Sequence, residues 1–109
     1  MMSKKRLLML FAFIAFSLRL SAEDQTITIK SHSVNKNVML LEADLAGRQV
    51  ELECFVSEKS CAALTPGDYL MVRLTRGGIY QDCANVDIYG IAAHPPKGKQ
   101  LGEYCLLQP

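Results

Sequence analysis

Residues 48–56 read RQVELECFV, and apolar and polar side chains alternate along this segment. One face holds Val50, Leu52, Cys54 and Val56. The opposite face holds Gln49, Glu51, Glu53 and Phe55. A period of two is typical of a β-strand that is buried on one side only. The alternation therefore predicts a strand that turns Cys54 toward the core and the two glutamates toward water.

Shorter segments with strand character lie on both sides of this one, separated by polar turns. On the amino-terminal side we predict strands at 25–30 (QTITIK) and 38–43 (VMLLEA), with turns at 33–37 and 44–47. On the carboxyl side we predict a helical turn at 57–64, a type II turn at 65–68 with Gly67 at positive φ, a strand at 69–75, a fifth strand at 85–91, a loop at 92–100 and a last strand at 101–107. In the strand at 69–75, Leu70, Val72 and Leu74 are predicted to face inward.

Five to six short strands with frequent turns predict an all-β fold, a small antiparallel barrel or sandwich. The strand pair followed by a short turn and Pro66–Gly67–Asp68 is similar to OB-type or SH3-type barrels in architecture. That similarity carries no function with it.

The amino terminus has the three parts of a secretory signal peptide. Lys4, Lys5 and Arg6 precede an apolar run at 7–18, and a small residue, Ala22, ends the segment. A helix of twelve residues is about 18 Å long, too short for a hydrocarbon core of about 30 Å. We predict a signal peptide at 1–22 and a single domain at 23–109, exported to the periplasm or the exterior. The alternative is an uncleaved amino-terminal anchor.

All four cysteines lie after the predicted cleavage site: Cys54, Cys61, Cys83 and Cys105. An even number in a short exported domain predicts two disulfides. Three pairings are open, and we favour Cys54–Cys61 with Cys83–Cys105 because a polar turn separates the first two. A structural zinc site would need close ligand pairs such as Cys-x2-Cys, which the sequence lacks.

Removal of the signal peptide changes the charge balance. The chain has twelve basic and eleven acidic residues, and Lys4, Lys5, Arg6 and Arg19 leave with the signal. The exported domain keeps eight basic and eleven acidic residues, a net charge of −3. Nucleic acids and anionic lipids bind basic faces. We therefore predict no nucleic-acid partner and no membrane contact except through the signal peptide before cleavage.

Three groups of residues are candidates for catalysis or ion binding. Glu51 and Glu53 share a strand face, but paired catalytic carboxylates need one raised pKa, and this face is predicted to be solvated. Asp82, Asn85 and Asp87 do not have EF-hand spacing. His32 and His94 are 62 positions apart. We predict no enzyme activity, no metal and no cofactor.

Four segments together carry a resemblance to known sequences: Cys54-x6-Cys61, PGDY at 66–69, DCANVDIY at 82–89 and GEYCLL at 102–107. This pattern resembles a group of short, exported, uncharacterised bacterial proteins. The resemblance covers roughly residues 48–107. It implies export and an all-β domain, and it implies no activity.

The tyrosines are the candidate residues for binding, because tyrosine combines a large apolar face with one hydrogen bond. The candidate interaction surface comprises Tyr69, Arg76, Tyr80, Tyr89 and Tyr104. Within it, residues 77–80 (GGIY) resemble the Gly-x-x-Tyr part of a loop in periplasmic lysozyme inhibitors of the C-type family. Arg76 stands where that family has serine, and the family's second motif is absent.

The sequence thus favours a non-enzymatic binding module whose partner is a protein or small ligand outside the cytoplasm. The alternative is a small periplasmic or secreted inhibitor of a hydrolase, either a lysozyme or a protease. A hydrolase or redox enzyme has no motif in its favour.

Overall fold

The first strand pairs with two neighbours, and this double pairing closes the sheet. The computed structural model describes residues 24–75, 77–92 and 97–107, which form six strands and no helix. The strands are β1 (Asp24–Asn35), β2 (Val38–Leu45), β3 (Arg48–Phe55), β4 (Gly67–Arg73), β5 (Ala84–Ile91) and β6 (Lys97–Leu107). Their order around a closed, wholly antiparallel barrel is β1-β2-β3-β6-β5-β4. The predicted small antiparallel all-β fold is confirmed.

Strand β1 is longer than the sequence predicted and serves two pairings in turn. Residues 24–29 pair with β4, and residues 27–35 pair with β2. Ile27 and Ile29 lie where both pairings overlap, and both side chains are buried. A register shift between Ile29 and Ser31 follows this overlap. The predicted turn at 33–37 is therefore mostly strand, and the turn itself is limited to residues 36–37.

The core fills the inside of the barrel with side chains from every strand. Strand β3 contributes Val50, Leu52 and Cys54, the face that the alternation predicted. Its other face, with Glu51 and Glu53, points outward. The remaining fully buried side chains include Ile27, Ile29, Leu41, Met71, Val86, Ile88 and Tyr104.

The predicted inward face of β4 is wrong. Met71 is buried, whereas Leu70 and Val72 are half-buried on the outer face. The segment is apolar at consecutive positions, so its own pattern does not define a face. Register defines it instead: Met71 lies opposite Ile88 of β5, and residues directly opposite in an antiparallel pair point to the same side.

Two further local predictions are corrected. The predicted helical turn at 57–64 does not form: residues 56–60 form turns and residues 61–64 are irregular, with bonds from Glu58 N–H to the Phe55 carbonyl and from Cys61 N–H to the Glu58 carbonyl. Gly67 has the predicted positive φ, at 152°, a value that favours glycine. The predicted type II turn is wrong, because Gly67 is the first residue of β4 and pairs with Ile29. The segment predicted as a signal peptide, Arg76 and His94 lie outside the described residues. Within the described ranges no helix is long and apolar enough to span a bilayer.

The β3–β4 connection, called the end loop here (residues 56–66), is fastened to the inside of the barrel. A disulfide joins Cys61 to the buried Cys54. The Tyr104 hydroxyl donates a hydrogen bond to the Ala62 carbonyl at 2.7 Å. A Cβ at Gly102 would collide with the Ser60 carbonyl, so this position needs glycine. The second disulfide joins Cys83 to Cys105, and both bridges follow the pairing that the sequence favoured.

Replacement of Tyr104 by phenylalanine tests the attachment of the end loop. Burial raises the pKa of Tyr104 to about 12, so the hydroxyl stays protonated and keeps donating to Ala62. Because Tyr104→Phe leaves a part-buried carbonyl without its donor, we expect the free energy of unfolding in urea to fall by about 1–2 kcal/mol. Tyr69→Phe is the matched control: its hydroxyl bonds to Thr65 at an exposed site, and we expect a loss within about 0.5 kcal/mol. Equal losses from the two variants would contradict this role of Tyr104.

Candidate binding site

Part of the β4–β5 connection, called the outer loop here (residues 77–83), lies against the outer face of the barrel. Asn85 of β5 points outward and yet is only 5% exposed, because this loop covers it. Its side-chain amide accepts from the Tyr80 N–H at 3.0 Å and donates to the Tyr80 carbonyl at 2.8 Å. The Ile79 N–H donates to the Glu103 carboxylate at 3.0 Å. The Cys83–Cys105 disulfide adds a covalent link to β6.

Tyr80 fills the place where β3 and β6 separate. These strands pair only over residues 51–53 and 105–107. Beyond that point the Glu103 N–H donates to the Ser60 carbonyl, and the Phe55 N–H donates to the Tyr80 hydroxyl at 3.2 Å. The hydroxyl thus replaces a strand partner for Phe55. Burial raises the pKa of Tyr80, so its hydroxyl is protonated at neutral pH.

A groove on the outer face, which we call the hairpin groove, extends from this separation to the turn that joins β1 and β2. It consists of two depressions of about 150 and 460 Å³ that share Val38 and Glu53. The smaller is lined by Val38, Glu53, Cys54, Phe55, Tyr80, Gln81 and Cys105. The larger is lined by Ser33, Asn35, Lys36, Val38, Leu40 and Glu53.

The groove is mainly apolar, with one carboxylate in its floor. Glu53 lies opposite Leu40 of β2 and opposite Cys105 of β6. The Phe55 ring is 47% exposed and contacts Tyr80, with the ring centroids 5.6 Å apart. The one ion pair among the described residues joins Lys30 to Asp44 at 3.2 Å, so Glu53 has no ionic partner within that part of the chain.

The tyrosines do not form one surface, which corrects the candidate interaction surface. Tyr104 is fully buried inside the barrel and Tyr80 is only 8% exposed. Tyr69 is half-buried beside the core and bonds to Thr65. Tyr89 is on the outer face, where the Lys97 ammonium lies 4.9 Å from its ring centroid. Of this set only Tyr80 lines the hairpin groove. Arg76 lies outside the described residues.

The residues weighed for ion binding do not converge. Asp82 is exposed in the outer loop, and both amide atoms of Asn85 are used by Tyr80. Asp87 lies on the outer face directly opposite Glu103. Within the described ranges no group of three histidine, cysteine, aspartate or glutamate residues is arranged to hold a metal ion.

Sequence reasoning missed the apolar groove residues Val38, Leu40 and Phe55. A signal for Phe55 was present, because it is the single aromatic residue on the otherwise polar face of the 48–56 segment. The pattern cannot separate Val38 and Leu40 from core residues, because residues 38–41 (VMLL) are all apolar. Their position on the outer face follows from register: Val38 lies opposite Phe55 and Leu40 opposite Glu53.

No protein-family model, no curated protein and no solved structure matches this chain.

The Asp87 carboxylate provides a test of the electrostatics on this outer face. Burial raises the pKa of Asp87, and repulsion from Glu103 raises it further; a hydrogen bond from Tyr89 and the charge of Lys97 act in the opposite direction. One carboxylate oxygen is buried without a hydrogen-bond partner. A raised pKa means that the folded state binds the proton more tightly than the unfolded chain, so the ionised form lowers stability at neutral pH.

We therefore expect Asp87→Asn to raise the melting temperature at pH 7. The gain should shrink as the pH falls through the raised pKa and vanish below about 3.8, the ordinary value, where Asp87 is protonated in both states. Thermal unfolding at several pH values measures this, with Asp24→Asn, at an exposed position, as the control. A gain that is the same at every pH would contradict the electrostatic cause.

Proposed function

We propose that this protein is a non-enzymatic binding module of the bacterial periplasm or exterior, which takes a segment of another protein into the hairpin groove. The observation that carries the proposal is the groove itself. It combines the exposed Phe55 ring and the half-buried Val38 and Leu40 with the Glu53 carboxylate, on a surface to which a loop is attached by a disulfide and by the hydrogen bonds of Asn85.

The attachment of the outer loop matters for affinity. A site that is formed before the ligand arrives avoids the entropy cost of ordering side chains and loops on binding. Both disulfides reach the groove, since Cys54 and Cys105 contribute to its lining. Two disulfides are also consistent with an oxidising environment outside the cytoplasm, which agrees with the signal peptide predicted at 1–22.

Binding is favoured over catalysis by the composition of the groove. Its described lining holds one carboxylate, Glu53, and neither a histidine nor a free thiol. The burial of Tyr80 also argues against the alternative function, inhibition of a hydrolase through the loop at 77–80. An inhibitor of that kind would present its tyrosine to the enzyme, whereas Tyr80 is buried and its hydroxyl accepts from Phe55.

Site-specific photo-crosslinking tests the proposal. Phe55 is replaced by p-benzoylphenylalanine, and Ile91 is replaced in the same way as the control, since the two are similarly exposed at 47% and 53%. Both proteins are irradiated with the envelope and secreted proteins of the organism that makes this chain. We expect a specific adduct at position 55 and none at position 91. The purified partner should bind Phe55→Ala at least about tenfold more weakly than the unaltered protein, because buried aromatic side chains dominate interface energies.

Three outcomes would contradict the proposal. The first is the same set of adducts at both positions, and the second is no adduct at position 55. The third is inhibition of a lysozyme or serine protease by micromolar protein, which would favour the inhibitor hypothesis instead.

A further inference from the structure

We infer that the hairpin groove accepts an arginine or lysine side chain from an extended segment of the partner protein, together with an apolar side chain two residues away. The inference rests on the proposed function, because it names the chemistry of the segment that the groove would bind.

The first argument is the setting of Glu53. Its half-buried side chain lies in the floor shared by both depressions, between Leu40 and Cys105 on the neighbouring strands. Apolar neighbours lower the local dielectric, which strengthens the attraction between a carboxylate and an approaching cation. Within the described residues the carboxylate has no ionic partner. A basic side chain in the groove would supply one.

The second argument is the aromatic pair beside this carboxylate. Phe55 is the next residue on the same face of β3, and its ring contacts that of Tyr80. A guanidinium group binds a carboxylate with two hydrogen bonds and also stacks on aromatic faces. The hydrocarbon part of arginine or lysine gains apolar contact at the same time. Glu53 therefore suits the charged group of the basic side chain, and the rings of Phe55 and Tyr80 suit the apolar side chain two residues away.

The third argument is spacing and charge. Residues two apart on a strand face are separated by about 6.6–6.8 Å, and an extended partner segment repeats at the same distance. Glu51 precedes Glu53 on this face of β3, and Glu42 of β2 lies directly opposite Glu51. These carboxylates extend the negative potential, which attracts basic segments from a distance. Lys36 lines the larger depression from the turn between β1 and β2. Because its ammonium repels another cation, the partner's basic side chain should approach Glu53 from the side of Phe55.

Titration with two matched peptides, followed by ¹H–¹⁵N NMR on the protein purified with both disulfides formed, tests this inference. The probes are N-acetyl-Ser-Phe-Ser-Arg-Ser amide and the same peptide with citrulline, which is neutral and nearly the same shape as arginine. We expect the arginine peptide to shift the amide signals of Val38, Glu53 and Phe55. The citrulline peptide should bind roughly tenfold more weakly, since it cannot form the ion pair.

Matched variants assign the effect to one carboxylate. Glu53→Gln should weaken binding of the arginine peptide by a similar factor and leave the citrulline peptide unaffected. Asp24→Asn, at an exposed position at the start of β1 and away from both depressions, should change neither. Added salt should weaken binding of the arginine peptide alone.

The inference is overturned if the two peptides bind equally, if Glu53→Gln has no effect, or if neither peptide shifts these signals. It is also overturned if the signals shift with protein concentration alone, which would make a second copy of this chain the occupant. A partner that crosslinks at position 55 and depends on Phe55 but not on the charge of Glu53 would leave the proposed function standing and remove this inference.

Discussion

The shared pairing of β1 is the constraint on which the rest of the structure depends. Its first half pairs with β4 and its second half with β2, so one strand closes the ring at Ile27 and Ile29. Complete burial of each isoleucine contributes about 1.5–3 kcal/mol relative to an exposed side chain. Closure also separates an inner face of the sheet from an outer face. The inner face holds the core, and the outer face is left to carry the groove.

Much of the fold could be predicted from the sequence, because alternation reports burial on one side of a strand. The segment at 48–56 shows this most clearly: its pattern predicts the side that Cys54 takes, and with it the opposite side for Glu53. The pattern failed in two places for physical reasons. Strand β4 is apolar at consecutive positions, so cross-strand register decides its inner face. The end of β1 is polar on both faces and stays extended because β2 pairs with it, which composition does not show.

The candidate site was much less predictable, because it is built from contacts between distant parts of the chain. The hydrogen bond between the Phe55 N–H and the Tyr80 hydroxyl spans 25 positions. The tyrosine content indicated Tyr104 and Tyr69 as binding residues, but their hydroxyls make internal hydrogen bonds to Ala62 and Thr65 of the end loop. The single aromatic residue on the polar face of β3 was the one local indication of the site. Its significance depends on where Tyr80 lies, and that position is set by Asn85.

The outer loop is held on the sheet, so that the groove is already formed in the free protein. Amide hydrogen exchange of the Tyr80 N–H tests this most directly, since Tyr80 lies outside the strands and its N–H donates to the Asn85 side chain. We expect this N–H to exchange as slowly as the amide of Val86, a buried residue of the strand that follows the loop. Exchange of Tyr80 at the rate of an unprotected loop amide, while Val86 stays protected, would contradict it.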